Sequence, residues 1–182
     1  MADEPITFRP LRRSDLPLLA GWLAEPLVHR WWHDEHDPAT LERDYGPCID
    51  GAEPTQVFLA EQAGRPFGLI QRYEITSYPE DAAELDAVYP VPPGAISVDY
   101  LIGEPAARGR GLGGRMVAAF VELCWAAHPH AQDVVVPVAA GNAASWRSLE
   151  AAGFARVAEG GMTPDNPVDP RDHVVYRLRR PD

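Results

Sequence analysis

The spacing of apolar positions changes several times along the chain, and each change marks an element. Ile6–Pro10 reads as a short strand. Ser14-Asp15 ahead of Leu16, Leu18, Leu19, Trp22 and Leu23 predicts a capped amphipathic helix, with Pro17 tolerable in its first turn. Two short helices are expected next, over Pro26–Trp32 and Ala39–Tyr45. Val57–Ala60 and Phe67–Tyr73 are β-prone apolar runs on either side of Ala63-Gly64-Arg65-Pro66, the pattern of a hairpin. Ser77–Gly94 shows no clear period and holds Pro79, Pro90, Pro92 and Pro93, so a long loop is expected there. Loops of that length inside compact domains usually serve function or are disordered.

Beyond that stretch the pattern becomes regular. It predicts a strand over Ile96–Ile102 and a helix over Gly113–Ala127, with Met116, Val117, Phe120, Val121, Leu123 and Cys124 at helical spacing. A strand over Val134–Val138, a helix over Asn142–Ala152 ended by Gly153, and strands over Phe154–Ala158 and Val174–Leu178 complete the series. Alternating strands and helices after residue 95 imply an α/β protein with a mixed sheet. No repeat or linker interrupts the 182 residues, so one domain over 1–182 is expected.

Composition excludes more than it assigns. No apolar run approaches the roughly 20 residues needed to span a bilayer. Met1-Ala2-Asp3-Glu4-Pro5 lacks the positive and apolar stretches of a secretory leader. A cytoplasmic location is expected, with no membrane partner and with Cys48 and Cys124 as free thiols. The net charge of −11 argues against nucleic-acid binding, which needs a basic footprint. All 16 basic residues are arginine, and without lysine a Schiff-base mechanism is excluded. His33-Asp34-Glu35-His36-Asp37 is expected to be a solvated acidic loop rather than a metal site, because no further ligand cluster accompanies it.

The distribution of charge says more than its total. Between Arg72 and Arg108 stand Glu74, Glu80, Asp81, Glu84, Asp86, Asp99 and Glu104, with no basic residue. From Pro105 to Val121 the pattern inverts, and Arg108, Arg110 and Arg115 occur without an acid. The first segment suits a cation and the second an anion, although a solvated loop also accounts for the acidic run.

Arg108-Gly109-Arg110-Gly111-Leu112-Gly113-Gly114 lies between a strand and a helix. Its glycines let the backbone approach an anion and aim successive N–H groups into one concavity, to which the helix adds its positive end. A pyrophosphate is the natural guest. Gly109-x-Gly111-x-x-Gly114 also matches a dinucleotide fingerprint. That fingerprint belongs after the first strand of a doubly wound domain, and too little chain follows here to complete one.

Arg108-x-x-Gly111-x-Gly113 fits the R/Q-x-x-G-x-G/A signature, and Asn142 with Glu150-Ala151-Ala152-Gly153-Phe154 fits a second stretch, so the chain resembles the GNAT acetyltransferase superfamily. The resemblance implies a central mixed, mostly antiparallel sheet flanked by helices. It implies acetyl-CoA as co-substrate, with its pyrophosphate on Arg108, Gly109, Arg110, Gly111, Leu112, Gly113 and Gly114. The pantetheine arm would run along Leu101 and Ile102 and meet Asn142.

Val28-His29-Arg30-Trp31-Trp32, Gln71-Arg72-Tyr73, Ser97–Ile102 (similar to G-I-D-Q-L-L) and Thr163-Pro164-Asp165 extend the likeness to the aminoglycoside 6′-N-acetyltransferase branch. In that likeness Asp99 is the base, since an alkylammonium must lose a proton before it can attack a thioester. Trp32, Gln71, Tyr73 and Asp165 would hold the acceptor, with Trp32 rather than Trp31 as the exposed ring. A monomer or homodimer acting on a small-molecule amine is expected, with no metal.

Two positions depart from the pattern. Leu149 stands where the family often carries a tyrosine acid for the leaving thiolate, and Pro137 where aminoglycoside enzymes carry an aspartate. The alternatives are acylation of a siderophore hydroxylysine arm or of a protein N-terminus, or a CoA-binding sensor without turnover.

Overall fold

The computed structural model describes residues 4–181, so Met1-Ala2-Asp3 of the leader argument lie outside the described residues. The elements run β1 (Ile6–Pro10), α1 (Leu16–Leu23), α2 (Pro26–Trp32), α3 (Pro38–Ile49), β2 (Gln56–Gln62), β3 (Arg65–Glu74), α4 (Pro79–Val88), β4 (Ile96–Ile102), α5 (Leu112–Ala127), β5 (Asp133–Ala139), α6 (Ala143–Ala151), β6 (Ala155–Gly161) and β7 (Asp172–Arg179). The sheet is mixed and mostly antiparallel, in the order β1-β2-β3-β4-β5-β7-β6. Strands β2 and β3 turn through Ala63 and Gly64, both at positive φ, the two-residue hairpin geometry that follows strand twist.

Both faces of the sheet are covered. Helix α5 lays Met116, Val117, Phe120 and Val121 on one face, against Ile70, Val98, Val134 and Val136. On the other face Leu16, Leu19, Leu23 and Leu41 of α1 and α3 pack on Val57, Leu59, Leu69 and Leu101. A third cluster joins Leu85 of α4 to Val135, Val175 and Met162. Arg72 is buried in the first core, bonded to Gln56 and to the Leu123 carbonyl and stacked over Phe58 and Phe120.

Strand β4 pairs along its whole length with Gly68–Glu74 of β3, which sets Gln71 opposite Asp99 and Tyr73 opposite Ser97. The parallel pairing of β4 with β5 reaches only Ile96 and Val134. Past that pair the strands part, and backbone groups of β4 that would pair with a neighbour face an opening instead.

Several boundaries depart from the sequence expectation. The stretch expected as a loop over Ser77–Gly94 contains α4, begun by Pro79 with Glu80 and Asp81 in its first turn. Only Leu85 of this helix is buried, so it carries no apolar period for a sequence to display. Ser14-Asp15 forms a short 3-10 turn over Arg13–Asp15, and the Asp15 carboxylate accepts from the Arg12 N–H and from Arg9 rather than capping α1. Helix α3 continues through Gly46-Pro47 to Ile49. Asn142 stands before α6 as its cap, accepting from the Ser145 N–H.

Candidate active site

A cleft of about 1220 Å³ opens where β4 and β5 part, and it runs from the Arg108–Gly114 turn to the ends of α2 and α4. Its two ends are built by different means.

At one end the turn enters α5. Gly109 and Gly111 sit at φ 69° and 72°, a left-handed conformation open to glycine at no steric cost, and a Cβ at either would meet nothing within 4 Å. Gly113 and Gly114 have another task. A Cβ on Gly113 would lie 2.6 Å from Ser148 Oγ, and one on Gly114 2.7 Å from Ala151 Cβ, so these glycines let α6 approach α5. Helix α5 has no side-chain cap, which leaves its first N–H groups for an anion at the positive end of the helix dipole.

The three arginines do not converge on that anion position. Arg108 donates to the carbonyls of Ile102 at 3.1 Å and Gly103 at 2.8 Å and meets Glu25 at 3.3 Å, so it ties the turn to the end of β4. Arg110 and Arg115 are exposed and do not border the cleft; Arg115 donates to the Glu4 carbonyl. Leu101, Ile102, Leu112 and Asn142 do line it. Of the three arginines, Arg108 alone borders the cleft.

At the other end the walls are acidic side chains. Asp99 opens into the cleft from β4 and accepts from Gln71 Nε2 at 3.0 Å. Burial raises its pKa to about 6, the hydrogen bond from Gln71 opposes this, and the charge of Asp165 adds to it. Tyr73 borders the same carboxylate. Asp165, on the loop after β6, also faces the cleft, and burial again lifts its pKa. Asp81 of α4 and Asp34 after α2 complete this wall.

Of the acidic run between Arg72 and Arg108, only Asp81, Glu84 and Asp99 border the cleft. Glu84 is engaged by Arg171 and by the Thr163 hydroxyl and N–H, and Asp86 accepts from the Val91 N–H. The His33–Asp37 loop is exposed at His33, Glu35, His36 and Asp37, as expected, and is anchored at two positions. Asp34 accepts from Trp32 Nε1 at 2.7 Å and from the Tyr45 hydroxyl at 3.0 Å, and Asp37 caps α3. Trp31 and Trp32 both line the cleft and are both half-buried; Trp32 also packs on the core beneath α1, while Arg30 stacks over Trp31. Asp34 and Asp81 were not singled out from sequence, since neither lies in a motif that names its neighbours.

Opposite the acidic wall, Tyr100 projects toward α6. Its hydroxyl donates to the Ser145 carbonyl at 2.9 Å and lies 3.0 Å from Ser145 Oγ. Leu149, one turn further along α6, is fully buried, and Pro137 lines the cleft from β5. Among the described residues no group of three or more His, Cys, Asp or Glu is placed to hold a metal ion. No helix among the described residues is long and apolar enough to cross a membrane.

A glycine turn at a bare helix start thus opens into a gap between parallel strands, with a recessed carboxylate beside it. The chain belongs to the acetyltransferase (GNAT) domain family, whose model matches residues 12–162. It is 28% identical over 171 residues, 92% of this chain and 82% of the relative, to the aminoglycoside N(6′)-acetyltransferase type 1 of Klebsiella pneumoniae. Its fold superposes on aminoglycoside acetyltransferase AAC(6′)-Ib in complex with coenzyme A with a TM-score of 0.80 and 25% identity, covering 96% of this chain and 95% of that one. The same enzyme bound to coenzyme A and kanamycin gives 0.78 and 25%, with the same coverage.

Proposed function

We propose that this acetyltransferase transfers an acetyl group from acetyl-CoA to a primary amine of an aminoglycoside-like polycation, and so confers resistance on a cell that holds it. The observation that carries this reading is the joining of two unlike surfaces in one cleft. The bare start of α5 suits a pyrophosphate, and Asp34, Asp81, Asp99 and Asp165, which pair with no arginine among the described residues, suit an acceptor carrying several ammonium groups. The kanamycin-bound relative supports the second half of the reading.

The chemistry follows from the placement. Acetyl-CoA lies with its pyrophosphate on the turn and its pantetheine arm in the gap between β4 and β5, near Leu101, Ile102 and Asn142. A backbone N–H of β4 then faces the thioester oxygen and stabilises the charge that develops there. Asp99, ionised above about pH 6, takes the proton from the acceptor nitrogen, directly or through water. The free amine attacks the carbonyl in a ternary complex, with no acyl-enzyme. Gln71 fixes the rotamer of Asp99, while Tyr73, Trp32 and Asp165 border the acceptor.

The deciding measurement is thiol release from acetyl-CoA with kanamycin, tobramycin, a monoamine, a hydroxylysine-type amine and a peptide N-terminus side by side. The 6′-amino aminoglycosides should give the highest kcat/KM. Faster turnover of the hydroxylysine or peptide amine removes the aminoglycoside reading, and no thiol release with any amine removes turnover itself.

A further inference from the structure

Cleavage of the thioester leaves an electron pair on sulfur, and a donor facing that sulfur lowers the cost of placing charge there. We infer that the Tyr100 hydroxyl is that donor, hydrogen-bonding the coenzyme A sulfur as it departs. This rests on the acetyl-CoA reading of the cleft given above.

The placement comes from the strand. Asp99 and Tyr100 are consecutive in an extended strand, so their side chains project to opposite faces. Asp99 faces the acceptor wall, bonded to Gln71 across β3. Tyr100 crosses the opening past the Ile96 and Val134 pair and reaches Ser145 of α6. A donor anchored at the α5 turn and lying in that opening passes between them, with its reacting carbon level with this pair of residues. The amine then arrives from the Asp99 face and the sulfur departs toward the Tyr100 face.

The other side-chain donors at that level are the Ser145 hydroxyl, 3.0 Å from the Tyr100 hydroxyl, and the Asn142 amide nitrogen, both on the α6 side; Leu149 is apolar and fully buried, and Pro137 and Val138 offer no side-chain donor. Burial also holds the Tyr100 proton above its ordinary pKa, so the residue acts as a neutral donor rather than as a source of a free proton.

The step balances without a further reagent. Asp99 first takes the ammonium proton and passes it to solvent; the amine lone pair then forms the C–N bond, and the second N–H proton leaves by the same route. The C–S bond breaks with both electrons on sulfur. Tyr100 turns its O–H from the Ser145 carbonyl to the thiolate, which leaves and takes its proton from water.

Two experiments test this. In Tyr100→Phe, kcat for thiol release should fall about 10- to 100-fold, the range of one hydrogen bond to a charged group, while KM for acetyl-CoA stays within about threefold. An unchanged kcat overturns the assignment, and so does a parallel loss of kcat and calorimetric CoA affinity, which makes Tyr100 a wall of the channel. The second experiment needs no variant that might not fold. Wild-type affinity for CoA relative to desulfo-CoA should rise about tenfold between about pH 7 and pH 9.5, as the bound thiol ionises beside a donor. A constant ratio overturns the proposal. Failure of the wild-type protein to bind CoA at all strikes the acetyl-CoA reading instead.

Discussion

The two ends of the cleft present polar groups by opposite means. The turn end uses backbone: left-handed Gly109 and Gly111 and the uncapped start of α5. The acceptor end uses side chains from four separated segments, with Asp34 after α2, Asp81 on α4, Asp99 on β4 and Asp165 after β6. A backbone site is specified by a few consecutive residues and is insensitive to pH. A site of carboxylates gathered from distant segments responds to pH and salt, and it can be altered one residue at a time.

The largest separation between the two ends should come from Asp99→Asn. Turnover should drop by about 10²- to 10⁴-fold, the usual contribution of a positioned base, with acetyl-CoA affinity unchanged by calorimetry. Retention of most turnover would falsify its role as base. Next in size is Gly111→Asp, which sets a negative side chain in the open space of the turn; Gly111→Asn, equally strained at φ 72° but uncharged, is its control. Acetyl-CoA should bind about 10- to 100-fold more weakly while circular dichroism stays native. Gly113→Asp is the poorer test, because its Cβ would strike Ser148 and disturb helix packing as well.

The pH response belongs to the acceptor end alone. As Asp99 protonates below about pH 6, kcat/KM should fall about tenfold per pH unit, and CoA affinity should not follow it. The same carboxylate has a consequence for stability. Its folded pKa is raised above the unfolded value near 4, so the stability it contributes is present below about pH 4 and is lost as pH rises through about 6. The Tm of Asp99→Asn should therefore gain on wild type from pH 5 to pH 8; a fixed difference contradicts the raised pKa.

The smallest effect is electrostatic capture. Raising salt shortens the Debye length from about 10 Å at 0.1 M to about 3 Å at 1 M, so kcat/KM for kanamycin should fall several-fold while that of a monoamine barely moves. Asp165→Asn should reduce that salt dependence. An unchanged dependence would mean that the charge of Asp165 does not reach the acceptor.

The difference between the ends also explains what the sequence could reveal. The turn was legible because its glycines, the preceding strand and the following helix are contiguous, and the bounds of β4 were legible because Ile96, Val98, Tyr100 and Ile102 alternate along a run set between Gly94 and Gly103. Asp99 was legible through its neighbours in that strand. Asp34 and Asp81 were not, since their importance arises when α2 and α4 meet the open end of the sheet. Helix α4 itself was hidden, because it buries one leucine and stands among prolines. The arginines are adjacent in sequence yet part in space: Arg108 borders the cleft and donates to the carbonyls of Ile102 and Gly103, whereas Arg110 and Arg115 lie away from it.

The single Ile96 and Val134 pair joining β4 to β5 gives the molecule a seam. On one side lie the four strands β1 to β4, and on the other the three strands β5 to β7. Along the seam the sheet is continuous only at one end, so its parts can breathe there without breaking the ladders within either part. Amides of β4 beyond Ile96 that point across the seam should exchange with deuterium early, ahead of those directed at β3. A molecule lying in the gap takes the place of the missing ladder, so its binding should slow that exchange and couple the two parts into one cooperative unit.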